Sequence, residues 1–404
     1  MAFDTGNTGF MLVATSLVML MTPGLAFFYG GLVGRKNVLG IMIQSFVSMG
    51  VTTVLWYVCG YSLCFSGGEG ALIGDLNKAF MAGMNPTDAF AGSASIPVLV
   101  FFGYQMMFAQ ITPALITGAF TNRINFKAYL VFLVLWLLGV YFPLCHMVWG
   151  GGLLAKWGVL DFAGGIVVHA SAGFAALASV FFVGKRRIVE TGAHSIPLVA
   201  LGTGLLWFGW YGFNAGSELR VDSVTALAFI NTDVAASFAA VTWLFLAWVI
   251  EKKPKFVGLL TGSIAGLATI TPAAGYVTTS SAVLIGILSS LVCYVAVNMK
   301  NKLGWDDALD VWGVHGVGGV LGVFCLGLFG TTMVNSAGAD GLFYGNAAFF
   351  GKQVVAVVGA AVYAFAFTYA MLYLINKVTP VKTSESDENS GLDESQHGEV
   401  AYLH

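Results

Sequence analysis

The sequence predicts an all-α polytopic membrane protein, on three observations of composition and pattern. The chain has 404 residues, of which 57% are hydrophobic and only 9% are charged. Its apolar runs repeatedly reach the roughly 20 residues that a helix needs to cross a bilayer. The alternating pattern of a membrane β-barrel is absent from the sequence, and its 52 glycines suit helices whose backbones approach closely.

Eleven apolar stretches are long enough to cross the membrane as helices. In chain order they are residues 10–33, 38–65, 96–120, 126–148, 162–183, 196–216, 224–250, 256–276, 282–297, 310–329 and 349–375. We predict two inverted repeats of five helices each, followed by an eleventh helix. Residues 1–376 would form the transmembrane domain and residues 377–404 a cytoplasmic tail.

Lysine and arginine predict the orientation of this bundle. Fourteen of them lie on one side of the predicted spans, and four, Lys78, Lys156, Arg220 and Lys352, lie on the other. The excess places the N-terminus outside and the C-terminus in the cytoplasm of a cell membrane. Topology already explains each basic cluster, so no nucleic-acid-binding surface is predicted. The first residues lack a positive n-region and a cleavage site, so the first span is expected to act as the insertion signal.

Two histidines lie deep inside separate spans, in similar surroundings. His169 in the fifth span begins H-A-S-A-G, and His315 in the tenth begins H-G-V-G-G. A repeat with an odd number of spans is inverted relative to the first, which brings equivalent residues together near the midplane. A lone membrane histidine is more often a helix-packing residue. Two at the same position of each repeat indicate a functional site, since an ionisable ring in hydrocarbon is costly.

Aromatic side chains and one serine mark the outer ends of three spans. They are Tyr104 and Phe108 on the third span, Trp149 at the end of the fourth, and Trp210, Phe213 and Ser217 on the sixth. The spacings i, i+4 and i, i+3, i+7 put each group on one helix face. A single aromatic residue there is usually an interfacial belt residue. Several around a hydroxyl form a cation-π site for a small ammonium ion, and phenylalanines below it would exclude water.

Six sequence stretches carry a family resemblance. They are F-F-Y-G-G-L-V from Phe27, P-L-C-H-M-V-W-G-G-G from Pro143, D-F-A-G-G-I-V-V-H from Asp161, G-F-N-A-G-S from Gly212, T-P-A-A-G-Y from Thr271 and D-V-W-G-V-H-G from Asp310. With these in order on eleven spans, the chain resembles the Amt/Mep/Rh ammonium transporters, and the Amt branch in particular, over nearly its whole length.

The resemblance implies roles for individual residues and for the assembly. Ammonium would be recruited by Trp149, Ser217 and Phe108, with Tyr104 and Trp210 lining the vestibule and Asp161 supporting the site. Phe108 and Phe213 would form the gate, and His169 and His315 the twin-histidine pore. Asp310 would be the buried acid that corresponds to Asp161. The family also forms homotrimers with one pore in each protomer.

The predicted function is net ammonium transport and not an enzymatic reaction, with no cofactor or metal implied. Ammonium ion at the bilayer centre is costly to desolvate, whereas ammonia is neutral, so deprotonation before transit lowers the barrier. Paired imidazoles can solvate ammonia or relay the proton, and the sequence leaves both roles open. We predict that ammonia and the proton cross separately, which makes transport electrogenic. A neutral ammonia channel and an ammonium sensor are the alternatives, and methylammonium is a further candidate substrate.

Three acidic residues in or beside spans need separate interpretation. Asp161 begins its span, where a carboxylate caps free amides, and its distance of about 12 Å from His169 argues against direct contact. Asp310 is interpreted in the same way, and a place on a proton path stays open as the alternative for both residues. Asp233 lies inside the predicted seventh span, so either the helix starts near Asn231 with Asp233 in its first turn, or Asp233 is a buried acid of unassigned role.

The tail changes composition abruptly to K-T-S-E-S-D-E-N-S, which is typical of flexible segments. Its end, G-L-D-E-S-Q-H-G-E-V-A-Y, resembles the ordered tail of the family, which packs under a neighbouring subunit. This resemblance implies regulation by a PII-type signal protein at the cytoplasmic face.

Three other classes of protein fit the sequence less well. Histidines can bind haem, but one per inverted repeat suits a pore better. An ammonium sensor of this family would be expected to carry a fused output domain. A carbon dioxide-conducting Rh-like protein fits less well with Trp149 and an Amt-type tail.

Overall fold

The computed structural model describes residues 3–189 and 192–403, and these residues are mainly helical, which confirms the predicted fold class. Ten helices of the described chain are long and apolar enough to cross a membrane, and an eleventh is shorter. In order, spans 1 to 11 are Thr5–Leu32, Arg35–Phe65, Val98–Phe120, Phe126–Trp157, Gly165–Val183, Ile196–Glu218, Ser223–Glu251, Phe256–Ile270, Thr279–Lys302, Trp312–Phe329 and Ala347–Val378.

Loops between spans lie at two opposite faces of the bundle. We call the face that holds Asp4 the N-terminal face, and the opposite one, which holds residues 379–403, the tail face. The N-terminal face carries a short antiparallel hairpin, Ala89–Phe90 paired with Ser93–Pro97, which the sequence did not predict. Its strands are too short and too rich in small residues to produce an alternating pattern.

Spans 5 and 8 are shorter at one end than predicted, and local chemistry explains both. Span 8 ends at Ile270 instead of continuing to residue 276, because Pro272 cannot continue the helical hydrogen bonds and the chain turns there. Span 5 begins at Gly165, after Gly164, whose φ of 126° is accessible to glycine and strained for other residues. Both irregular segments border the interior of the bundle.

Spans 1 and 6, which begin the two repeats, pack backbone against backbone. A Cβ atom on Gly24 would lie 2.9 Å from the Cβ of Leu205, and one on Gly202 would overlap the backbone of Phe28. Small residues permit this approach in membranes, where close packing replaces the hydrophobic effect between helices. The contact brings the sixth span, which carries Phe213 and Ser217, against the first.

Asp233 lies in the middle of span 7, so the suggestion that the helix begins near Asn231 is wrong. The helix begins at Ser223, where Asp222 caps the amides of Val224 and Thr225. Asp233 is partly buried and accepts hydrogen bonds from the Tyr211 hydroxyl at 2.6 Å and Trp207 Nε1 at 3.2 Å. These two donors from span 6 offset the cost of placing a carboxylate in a span.

The tail is ordered against the loops of its own chain. The Thr383 amide donates to the carbonyl of Arg123 at 3.0 Å, and the Gly40 amide donates to the Asp393 carboxylate at 2.7 Å. A short helix, Glu385–Ser390, lies between these contacts. The polar composition of the tail therefore does not make it a free segment, because its acidic side chains cap backbone amides at the tail face.

Candidate functional site

A cavity of about 250 Å³ opens at the N-terminal face, between spans 3, 4 and 6. Phe108, Trp149 and Ser217 line it, as the sequence predicts, together with Phe162 and Gln105. Sequence reasoning did not single out the last two. Aromatic faces and polar oxygens around one small cavity suit a small cation, because rings attract the charge and oxygens accept its N–H groups.

Trp149 is held in place by the backbone of Asp161. The indole Nε1 donates to the Asp161 carbonyl at 2.8 Å, which leaves the face of the ring toward the cavity. The carboxylate of Asp161 accepts the amides of Gly164 and Gly165 with one oxygen and those of Ile166 and Val167 with the other.

These hydrogen bonds confirm the predicted capping role of Asp161 at the start of span 5. Burial raises the pKa of this carboxyl, and the four amide hydrogen bonds oppose the rise. Among the residues that the structure describes, all four hydrogen-bond donors to the carboxylate are backbone amides. Asp161 therefore supports the site by positioning the loop and the indole, and its side chain does not line the cavity.

Ser217 and Tyr104 form a hydrogen-bonded support for the same cavity. The Ser217 hydroxyl donates to the carbonyl of Phe213 at 2.9 Å and lies 3.2 Å from the Tyr104 hydroxyl. Tyr104 also donates to the carbonyls of Gly212 and Phe213, at 2.9 Å each. Tyr104 does not line the vestibule as expected, because its side chain is fully buried behind Ser217. There it donates to carbonyls that have no partner within the helix near its C-terminal end.

Phe108 and Phe213 close the floor of the cavity. Their ring centroids are 4.2 Å apart, at an interplanar angle of 34°, and both side chains are buried. The rings of Phe108 and Trp149 are nearly perpendicular, with centroids 6.0 Å apart. Phe108 lines this cavity and Phe213 lines the space beside His169, so the two rings that the sequence predicts as a gate lie between the two spaces.

His169 and His315 lie below the gate in van der Waals and hydrogen-bond contact. Their Nδ1 atoms are 3.3 Å apart and their rings are inclined by 15°. Phe213 and Trp210 stack on His169, with centroids 6.1 Å and 5.5 Å away. Trp210 was expected in the vestibule, but it lies deeper, because seven helical residues separate it from Ser217, about 10 Å along the axis.

Each histidine lies on a π-helical turn. The two helices that carry them cross in close contact at glycine residues. The turns are Gly165–Ala170 and Trp312–Gly316, and such turns often mark functional sites. A Cβ on Gly173 would overlap Gly316, and one on Gly319 would lie 2.7 Å from the amide nitrogen of Ala170. The glycine four positions after each histidine is therefore required by the crossing.

Between the Phe108–Phe213 pair and the tail face lie a very small space and then a large cavity. A space of only about 10 Å³ lies beside the two histidines and is lined otherwise by apolar side chains such as Leu115, Phe28 and Ile264. It is close to the size of one small molecule. Below His315 a cavity of about 450 Å³ opens at the tail face, with Asp310, Arg186 and Lys255 among its lining residues.

The buried acid that corresponds to Asp161 is Asp307, so the assignment of Asp310 to this position is wrong. Asp307 is 1% exposed and its carboxylate accepts the amides of Val311 and Trp312 at 3.1 Å and 2.8 Å. Burial raises its pKa to about 6. The side chain of Asp310 is 33% exposed and pairs with Lys300 at 2.6 Å.

A spacing in the sequence identifies Asp307. It lies eight residues before His315, as Asp161 lies eight residues before His169, whereas Asp310 lies only five residues before its histidine. An inverted repeat preserves such distances, so the equal spacing was the available signal.

Comparison with known proteins gives a consistent family. The model described as Ammonium Transporter Family matches residues 9–402. The chain is 46% identical over 401 residues to "Ammonium transporter" of Bacillus subtilis, which covers 98% of each chain. It is 42% identical over 400 residues to "Ammonium transporter Amt1" of Archaeoglobus fulgidus, covering 98% of this chain and 99% of that one.

Solved structures agree with the sequence comparisons. The crystal structure of Candida albicans Mep2 superimposes with a TM-score of 0.89 at 33% identity, over 95% of this chain and 88% of that one. A structure titled "Sensor Amt Protein" superimposes with a TM-score of 0.87 at 28% identity, over 97% of this chain and 98% of that one.

Proposed function

The chain belongs to the ammonium transporter family, and from that premise we propose that it recruits ammonium ion at the N-terminal face and passes ammonia through the bore. The proton would cross separately, so that transport is electrogenic. The single observation that carries this proposal is the space of about 10 Å³ that lies between the Phe108–Phe213 gate and the tail-face cavity. Only a small molecule without its hydration shell fits there.

Recruitment would use the side chains that line the 250 Å³ cavity. The faces of Trp149 and Phe108 attract a cation, and the Ser217 oxygen accepts one of its N–H groups. Asp161 acts as a positioning residue, because its backbone carbonyl orients the indole and its carboxylate is occupied by amides. These contacts support binding of ammonium ion before the gate.

Transit favours ammonia because the bore beside the histidines is largely apolar. A bare ammonium ion there would be costly to desolvate, whereas ammonia needs only one or two hydrogen bonds. His169 Nε2 is buried with no protein partner among the described residues, and it is available for that purpose. The Nδ1 atoms of the pair face each other, so either imidazole can pass a proton to the other.

Current measurements on purified protein test this mechanism directly. Proteoliposomes on a solid-supported membrane would receive an ammonium pulse at fixed pH, with wild-type protein and with His169→Ala. Electrogenic transport gives a wild-type current that the variant loses or makes less selective against potassium. Internal alkalinisation without current would replace this proposal with a neutral ammonia channel. Neither signal would favour an ammonium sensor or transceptor.

Orientation and assembly are proposed on separate grounds. The lysine and arginine excess at the tail face supports an external N-terminal face in a cell membrane and a cytoplasmic tail. Native mass spectrometry in detergent tests the homotrimer that the family resemblance implies. Cysteine labelling of intact cells at the hairpin and at the tail tests the orientation, which is overturned if only the tail reacts with an impermeant reagent.

A PII-type signal protein is the proposed partner of the tail. Exposed acidic residues, including Glu385, Glu394 and Glu399, lie on a tail that is anchored beside the cavity at the tail face. Binding of a purified PII-type protein would be measured with the full chain and with a variant truncated after Val378. Equal binding to both would remove the tail from this role.

A further inference from the structure

Few of the side chains that line the cavity at the N-terminal face carry an acceptor for an ion that has many donors. Ammonium carries four N–H groups and loses its hydration on entering, so unpaired donors weaken binding. Trp149 contributes a ring face only, because its N–H is committed to the Asp161 carbonyl. Ser217 keeps an acceptor lone pair, since its own proton goes to the carbonyl of Phe213, but the Tyr104 hydroxyl approaches the same oxygen.

Gln105 brings a side-chain amide to this cavity. It follows Tyr104 in span 3, lines the cavity together with Phe108, Trp149 and Ser217, and is only 9% exposed. Its Oε1 atom is enclosed and has no hydrogen-bond donor among the residues that the structure describes. A buried amide oxygen without a donor raises the free energy of the protein, and a ligand that donates an N–H group to it would remove this cost.

The shape of the amide lets the oxygen reach the cavity. A half-turn of the terminal group exchanges Oε1 and Nε2 without changing the volume of the side chain, and the hydrogen-bond partners decide between the two orientations. The Gln105 side chain makes no hydrogen bond in the described part of the protein that would prevent this turn. An arriving N–H donor can therefore select the orientation that presents the oxygen.

A second glutamine on the same helix shows what a structural role looks like. Gln110 is 4% exposed, and its Nε2 donates to the Thr53 hydroxyl at 2.8 Å, which ties span 3 to span 2. It does not line the cavity at the N-terminal face. The Oε1 of Gln110 also lacks a donor among the described residues, so the unpartnered oxygen alone does not distinguish the two glutamines. Gln105 differs because, in the part of the chain that the structure describes, its amide has no tie to another helix and lines the cavity.

We propose that Gln105 is a further ammonium-binding residue, whose amide oxygen accepts an N–H group of the ion. Phe108 and Trp149 then face the charge, and Ser217 accepts a second N–H group. This inference rests on the proposed recruitment of ammonium at the N-terminal face and adds an acceptor to it. It assigns part of the binding free energy to an uncharged side chain that the aromatic pattern does not include.

The concentration dependence of ammonium transport in proteoliposomes tests the proposal. Gln105→Leu keeps the size and removes the oxygen, and it is expected to raise the half-saturating ammonium concentration about tenfold, or 1.4 kcal/mol, with little change in the maximal rate. Gln105→Glu restores an oxygen and adds a charge, so its half-saturating concentration should be at or below that of the wild type. Gln110→Leu is the matched control and should leave this concentration unchanged.

Three outcomes overturn the inference. A half-saturating concentration for Gln105→Leu within twofold of the wild-type value would remove Gln105 from the site. An equal rise in Gln110→Leu would assign the effect to helix packing. Wild-type protein that transports no ammonium would overturn the proposed function as well, which distinguishes that failure from the first. If Gln105→Leu does not fold, Gln105→Met, which has the same length and no amide, takes its place.

Discussion

His169 and His315 face each other through like atoms, with Nδ1 of one ring 3.3 Å from Nδ1 of the other. A hydrogen bond between them needs a proton on one Nδ1 and a lone pair on the other. In the neutral pair the two rings are therefore opposite tautomers, and the tautomer of each ring is determined by its partner. The Nε2 atoms that remain are correspondingly different, one carrying a proton and the other not.

This dependence predicts that the two histidines act as one unit. His169→Ala and His315→Ala are each expected to lower the ammonium current at least tenfold, and the double variant should be no worse than about twofold below either single variant. Currents at matched protein density measure the cycle, with His194→Ala as a control outside the bore. Losses that multiply in the double variant would mean that each ring works independently.

Phe213→Ala is expected to open the gate. The ring of Phe213 lies 4.2 Å from that of Phe108, and its removal leaves space for water between the cavity and the histidines. Hydrated cations then gain access, so the reversal potential should shift toward that of potassium in opposed ammonium and potassium gradients. Phe208→Ala, on the same helix but 56% exposed, should retain wild-type selectivity. Unchanged selectivity in Phe213→Ala would place the barrier elsewhere.

Gly173→Ala should lower both stability and transport, although it adds only one methyl group. Its new Cβ would overlap the backbone of Gly316 at the crossing of spans 5 and 10. Overpacking of this kind costs about 1–3 kcal/mol, and it would also push the two imidazoles apart. Thermal unfolding in detergent and ammonium current should both fall, whereas Gly204→Ala, which has open space around it, should leave both near wild-type values. Equal stability of the two variants contradicts the crossing as described.

Asp161→Asn separates positioning from proton acceptance. The amide has one acceptor oxygen where the carboxylate has two, so some of the amides from Gly164 to Val167 lose their partner, at a cost of about 1–3 kcal/mol. Stability and apparent ammonium affinity should fall together, and Trp149 fluorescence in a background lacking other tryptophans should shift. Loss of current with unaltered stability and affinity would instead favour a proton-accepting role.

The sequence predicted the spans and most of the site because membrane helices have long apolar runs and a regular spacing of the residues on each face. Each of the eleven predicted spans corresponds to a helix of the described chain, although the eighth is shorter than predicted, and the face shared by Phe213 and Ser217 follows from helical spacing. Depth was less well predicted, since Trp210 shares that face but lies about 10 Å deeper, beside His169. Helical spacing identifies a face and gives no information on which cavity the face meets.

Other features depend on partners that are distant in sequence. Asp233 is tolerated in span 7 because Tyr211 donates to it from another helix, and no local pattern contains that contact. Asp310 looked like the buried acid because it opens an apolar run, but the chain turns between Asp307 and Trp312, so the earlier aspartate reaches the amides. Gln105 was not predicted as a site residue, because its side-chain amide is neither charged nor aromatic.

The two cavities also determine where the membrane voltage falls. Spaces of about 250 Å³ and 450 Å³ reach in from opposite faces, and water and salt in them conduct, so they extend the bulk solutions toward the centre. The electric field is then concentrated across the short dry segment from Phe108 to His315. A charge that crosses this segment alone gains nearly the whole potential, about 2.3 kcal/mol per 100 mV, over a small fraction of the bilayer thickness.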